Sequence, residues 1–187
     1  MAWILLAVLG VLVLLVIGMY NSLVRLKVQS ENAWADIDVQ LKRRYDLIPN
    51  LIETVKGYAG HEKQTLEAVI AARNRAMTAT TPSTKAEAEG VLAQSLKSLF
   101  ALAEAYPQLR AVESFTQLQS SLNQIEEAVQ NARRYYNAVV RDLNTKIQEF
   151  PSNFIANFFS FKPREFFEIA EAAERAVPKV GFEQASR

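Results

Sequence analysis

The side chains able to do chemistry are few in this chain, and their spacing does not assemble them. His61 is the only histidine. Followed by Glu62, it opens like the HExxH helix of zinc proteases. Thr65 stands where the second imidazole must be, so the motif fails and His61 reads as a solvated helix-start residue. Asp36 with Asp38, and Glu87 with Glu89, lie two apart, which on a helix aims the members of each pair in different directions and makes a shared proton unworkable. Asp38 and Lys42 have i,i+4 spacing and read as a solvated pair worth about 0.2–0.5 kcal/mol. The serines and threonines have no nucleophile elbow to expose them. Gly57-Tyr58-Ala59-Gly60 lacks both the preceding strand and the following Lys-Ser/Thr of a phosphate loop. No cysteine occurs, which removes thiol catalysis, thiolate metal sites, disulfides and a lipidated cysteine. The residues therefore predict no catalytic, metal-binding or cofactor-binding site, no enzyme and no small-molecule substrate.

Composition narrows the partners. With 21 basic and 20 acidic residues in 187, the net charge of +1 gives no global field for nucleic acid. The run Lys42-Arg43-Arg44 is three residues wrapped around a helix, too small for a nucleic-acid stripe. It suits either an anionic partner or helix carbonyls left open beside Pro49. The length fits one domain with an appendage.

That appendage is the N-terminus. Residues 1–24 hold no charged side chain. Twelve positions from Ala2 to Met19 are Leu, Ile or Val: Ile4, Leu5, Leu6, Val8, Leu9, Val11, Leu12, Val13, Leu14, Leu15, Val16 and Ile17. As a helix the uncharged stretch spans roughly 35 Å, enough to cross a hydrocarbon core. Those twelve side chains favour insertion by roughly 4–7 kcal/mol. No Lys or Arg precedes the run and no small-x-small site closes it, which argues for an uncleaved anchor over a secretory signal. Arg25, Lys27, Lys42, Arg43 and Arg44 all follow it, so the positive-inside rule puts the body of a single-pass protein on the cytoplasmic side.

Beyond the anchor the apolar residues recur at three- and four-residue steps, with no alternation that would signal strands. Trp34, Ile37, Leu41, Tyr45, Ile48 and Val55 continue the membrane helix as an amphipathic one, bent at Pro49 and turning at Gly57–Gly60. A second helix is expected over about 61–77. A third is expected to open on a Thr84–Glu87 capping box and to run to about 105. A fourth begins between Pro107 and Ser114 and ends before Pro151. In it Leu118, Leu122, Ile125, Val129, Ala132, Tyr136, Val139 and Leu143 alternate steps of four and three, the pattern of left-handed helix packing. The predicted fold is all-α: a transmembrane helix (1–24) continuing into an antiparallel, coiled-coil-like four-helix bundle (25–149). A Phe-rich segment with a short helix from Pro163 follows (150–177), then a loose tail (178–187).

Chain direction brings the segment after the fourth helix back towards the membrane. That segment, 150–167, holds seven of the ten phenylalanines, with Lys162 and Arg164 among them. It suits a plug in the open end of the bundle, a layer at the membrane surface, or a self-association surface.

The stretch 31–73, ENAWADIDVQLKRRYDLIPNLIETVKGYAGHEKQTLEAVIAAR, resembles the signature of the LemA proteins. So do YPQLRA (106–111), ARRYYNAVVRDLNTKIQEFPSNFIA (132–156) and FKPREFFE (161–168). The resemblance implies a bacterial, single-pass membrane protein of the cytoplasmic (inner) membrane with a helical-bundle domain, and it brings no catalytic or metal-binding residues. Family members are associated with membrane stress and membrane proteases. The expected function is a non-enzymatic membrane-anchored scaffold acting through homo-oligomers or docking of membrane proteins. The alternative is a monomeric adaptor or signalling subunit for one membrane partner, such as an envelope-stress protease. Lys42, Arg43, Arg44 and Tyr45, although Tyr45 also fits the core pattern, form one candidate interaction surface. Phe154, Phe158, Phe159, Phe161, Lys162 and Arg164 form the other, beside the lipid bilayer itself.

Overall fold

A computed structural model describes residues 1–168, all of whose regular elements are helices. The expected tail at 178–187 lies outside them. The first helix, α1 (Ala2–Ala59), is a single element of 58 residues that carries the apolar run straight into the body. Every expected spanning side chain from Ile4 to Ile17 is exposed along it, and burial begins at Leu23. This is one helix long and apolar enough to cross a membrane.

Four more long or short helices follow before the Phe-rich segment. They are α2 (Lys63–Thr78), α3 (Pro82–Glu104), the single turn α4 (Pro107–Arg110) and α5 (Glu113–Gln148). α1 and α5 are antiparallel neighbours: Leu23 clusters with Leu143, Gln29 bonds Tyr135, Trp34 stacks on Tyr136 and Arg44 reaches Glu126. α2 and α3 form a hairpin. Arg75 pairs with Glu87 at 2.5 Å at its turn, and the Tyr106 hydroxyl donates to Glu62 at 3.0 Å at its open end. One core, from Ala33 to Phe115 and on to Val140, joins the two pairs.

Local chemistry explains the helix ends, with one correction. α3 starts three residues earlier than the sequence pattern suggests. Thr81, not Thr84, is its N-cap: Thr81 Oγ1 accepts from Thr84 N, and Thr84 Oγ1 accepts in return from Thr81 N, each at 3.2 Å, with Pro82 in the first turn. Glu87 is therefore free to pair with Arg75. α5 opens at Glu113, within the expected range, without a side-chain cap.

Along α5 the alternating pattern resolves into two rows. Phe115, Leu122, Val129, Tyr136 and Leu143, each seven after the last, are buried. Leu118, Ile125 and Ala132 pack at the edge of the same core. A seven-residue step is nearly two helical turns, so one row faces inward throughout.

The end of the described chain departs from expectation. A short helix, α6 (Ser152–Phe158), forms inside the Phe-rich segment. It ends in a Schellman turn, with Phe161 N–H donating to Ala156 O at 2.9 Å and Ser160 N–H to Asn157 O at 3.2 Å. Ser160 takes the left-handed conformation at φ 58° that glycine usually supplies. The helix expected from Pro163 does not begin there. Residues 161–168 are non-helical because their backbone is bonded to side chains of α5, and positions after 168 lie outside the described residues.

Candidate functional site

Arg44, Glu89 and Tyr45 make a buried polar cluster where α1, α3 and α5 meet. Arg44 is 5% exposed and Glu89 is fully buried. Arg44 Nη1 donates to Glu89 Oε2 at 2.9 Å, Arg44 Nη2 to Glu126, and the Tyr45 hydroxyl to Glu89 Oε1. Consecutive residues on α1 thus hold both oxygens of one carboxylate. Burial pushes the Glu89 carboxyl above its ordinary range, against the pull of Tyr45 and Arg44. The Tyr45 hydroxyl rises as well, first through burial and then through the Glu89 charge, so it stays a proton donor. Arg44 Nε is buried without an acceptor among the described residues. This is an ion pair that ties helices together at a cost in desolvation.

One turn along, Pro49 has no N–H to offer the carbonyl of Tyr45, four residues earlier. Arg73 of α2 fills the vacancy: its Nε donates to Tyr45 O at 2.8 Å. The proline therefore creates an acceptor that fastens α2 to α1, and α1 continues through it as one helix.

The second polar device lies nearer the apolar run. Asn144 donates to Arg164 O at 2.9 Å and accepts from Arg164 N at 2.8 Å. Asn137 does the same with Phe167, at 3.1 and 2.9 Å. A side-chain amide carries the same donor and acceptor as a peptide group, so each asparagine stands in for one residue of a neighbouring strand. The spacing matches. Seven residues of helix rise about 10.5 Å, and three extended residues cover about 10 Å. Tyr136 adds a bond to Glu165 O at 2.9 Å, and Phe167 is buried against Trp34 with ring centres 5.6 Å apart.

Where this strap leaves α6 it meets α1 again. Phe159 lies 4.7 Å and Phe161 5.9 Å from the ring of Tyr20, the residue that follows the apolar run. Three phenylalanines of α6 and its approach face outward: Phe150 is 80%, Phe154 64% and Phe158 81% exposed. Most of the segment is therefore an exposed aromatic edge, and only Phe167 is fully buried.

The two candidate surfaces lie about 36 Å apart along α1, measured from Tyr20 to Arg44 as helical rise. Of the basic run, Lys42 and Arg43 are exposed, whereas Arg44 and Tyr45 are turned inward and leave that surface. Their side chains fall on the same face as Ile37, Leu41 and Ile48, which the core claims. Asp38 ignores Lys42 and pairs across to Lys85 of α3 at 3.3 Å. On the second surface Phe154, Phe158, Phe159 and Lys162 are exposed, Phe161 is half-buried, and Arg164 pairs with Glu31 at 2.6 Å. The roles of Glu89, Arg73, Asn137 and Asn144 are not readable from the sequence, where Glu89 stands only as a neighbour of Glu87. The only signals were a carboxylate one step from the apolar row of α3 and two asparagines seven apart. His61 is exposed, and among the described residues no group of three or more His, Asp or Glu converges as a metal site would require.

The model of the LemA family matches residues 33–182, most of the chain, including the whole of α2 to α6. The chain belongs to the LemA family. Protein LemA of Metamycoplasma hominis is 23% identical over 163 residues, covering 87% of this chain and 74% of that protein. Magnetosome protein MamQ 2 of Paramagnetospirillum magneticum is 29% identical over 90 residues, 48% of this chain. MamQ of Magnetospirillum gryphiswaldense is 26% identical over 90 residues. The chain spans about a third of the length of these MamQ relatives. Family and apolar helix together make this LemA protein a membrane-associated helical protein.

Proposed function

We propose that this LemA protein is a non-enzymatic scaffold of the bacterial inner membrane, its body on the cytoplasmic side, that works by self-assembly and by docking other membrane proteins. The observation that carries the reading is α1, one helix that includes the apolar segment, the Lys42–Arg43 surface and about a third of the core. Whatever binds the body is thereby held at a fixed height above the bilayer. The exposed face that offers contacts combines Val39, 50% exposed, with Lys42 and Arg43 of α1.

The absence of cysteine from the sequence makes the test clean. Single cysteines are placed at Val39 and, separately, at the exposed Tyr135, and intact membranes are treated with a short bis-maleimide. Self-crosslinked dimers are the expected result. Monomers alone at both positions overturn the assembly, and one foreign crosslinked band in their place establishes the monomeric adaptor.

A further inference from the structure

We infer that the cleft between the start of the α1 body and the strap after α6 binds the headgroup of an anionic phospholipid from the bilayer that α1 enters. The cleft has a volume of about 590 Å³, within the range of small-molecule sites. Its walls are sorted by depth. Tyr20, Phe159 and Phe161 stand at the end of the apolar run, and Lys27, Lys162 and Arg164 line the side towards the body. An aromatic mouth at the interface with cations just beyond it is the order in which acyl chain, glycerol and phosphate succeed one another.

The charges favour an anion. Glu31, also in the wall, takes up Arg164 at 2.6 Å. Lys27 and Lys162 make no ion pair with any described residue and are exposed, which leaves two cations for one phosphate. The wall that carries Lys162 is fixed at both ends. The Schellman turn of α6 precedes it, and the Asn144 clamp on Arg164 follows. Ser160 lines the cleft at the left-handed position that glycine usually takes.

The occupant is a lipid of the surrounding bilayer, and not a soluble anion, because the aromatic edge continues outward from the cleft. Phe158 rests against Phe159 at 5.0 Å between ring centres, and Phe154 and Phe150 extend the same edge. Rings so exposed to water are covered when α6 lies in the headgroup layer. The inference depends on α1 crossing the membrane and not on self-assembly.

Full-length protein in mild detergent is titrated with phosphatidylglycerol or phosphatidylcholine of identical acyl chains, and bound lipid per chain is counted by native mass spectrometry. One retained phosphatidylglycerol per chain is expected, preferred about tenfold over phosphatidylcholine. The double substitution Lys27→Gln with Lys162→Gln lowers that preference to about one, with helicity and melting unchanged because both side chains are exposed. The reversal Lys162→Glu lowers it further. Phe154→Ser with Phe158→Ser weakens both lipids alike. Equal retention of the two lipids by the native chain overturns the inference, as does a preference that survives the double substitution. Displacement of the lipid by millimolar inorganic phosphate overturns it too, by making the cleft a site for soluble anions.

Discussion

Removing the Arg44 side chain is the sharpest probe of how the helices are held together. Arg44→Met keeps the apolar stem and its volume but leaves Glu89, fully buried, without its cation. Breaking a buried pair from one side costs about 3–5 kcal/mol, because the remaining charge has no solvent. The Tyr45 hydroxyl still donates to Glu89, which favours the lower end of that range. For a body of this size each kcal/mol moves the midpoint by roughly 2–4 °C, so a fall of roughly 6–20 °C is expected. The partner arm is Arg44→Met with Glu89→Leu, which removes both charges. Arg44 Nε already lacks an acceptor, so the native pair is imperfectly satisfied. The double variant should return to within about 1 kcal/mol of the native chain or exceed it. Urea unfolding of the full-length protein in mild detergent, followed by fluorescence of Trp34 in its stack on Tyr136 and Phe167, reads both. A loss below about 1 kcal/mol in the single variant refutes the reasoning, as does a double variant no better than the single.

Three further outcomes follow from the same geometry. Arg73→Met orphans the Tyr45 carbonyl and should cost about 1–3 kcal/mol, whereas in a Pro49→Ala background, where residue 49 regains its N–H, the same change should cost markedly less; additive losses in urea titrations sink the account of Pro49. Asn137→Leu or Asn144→Leu should speed hydrogen exchange at the amides of Phe167 and Arg164 respectively, while exchange in the α2–α3 hairpin stays as it was. The raised Glu89 carboxyl holds its proton more tightly folded than unfolded, so its contribution to stability is fully present below its unfolded value of 4.5 and is lost as the pH rises through the folded value. Glu89→Gln lacks that loss, so its stability relative to the native chain should improve from pH 4.5 towards neutrality, and a flat difference contradicts the burial assigned to Glu89.

Periodic features were legible because they repeat. The row from Leu122 to Leu143 declares the inward face of α5, and the uncharged stretch to Val24 declares the apolar segment of α1. Chain direction alone brought the Phe-rich segment back beside Tyr20, where Phe159 lies. What stayed hidden depends on single partners far away in sequence. Arg44 reads as one of three surface cations although it shares the inward face of Ile37, Leu41 and Ile48, because the carboxylate that receives it there, Glu89, lies on another helix. The sequence puts the capping box at Thr84 because Glu87 supplies the usual third-position acid. Thr84 serves instead as the third residue itself, its hydroxyl doing what a Glu ordinarily does. The strap after α6 misled for a similar reason. Pro163 is a favoured first-turn residue, but Asn144 and Asn137 had already claimed the backbone groups that a helix there would need.

The unbroken run of α1 also turns bilayer thickness into sideways travel. A spanning segment longer than the local hydrocarbon layer leans to fit, and a stiff rod leans as a whole. From Val24 to Ala59 the rod extends about 54 Å, so a lean of about 5° carries its far end laterally by about 5 Å. Thinner and thicker patches of lipid would thus hold the α2–α3 hairpin at different places, with no joint needed to translate one into the other.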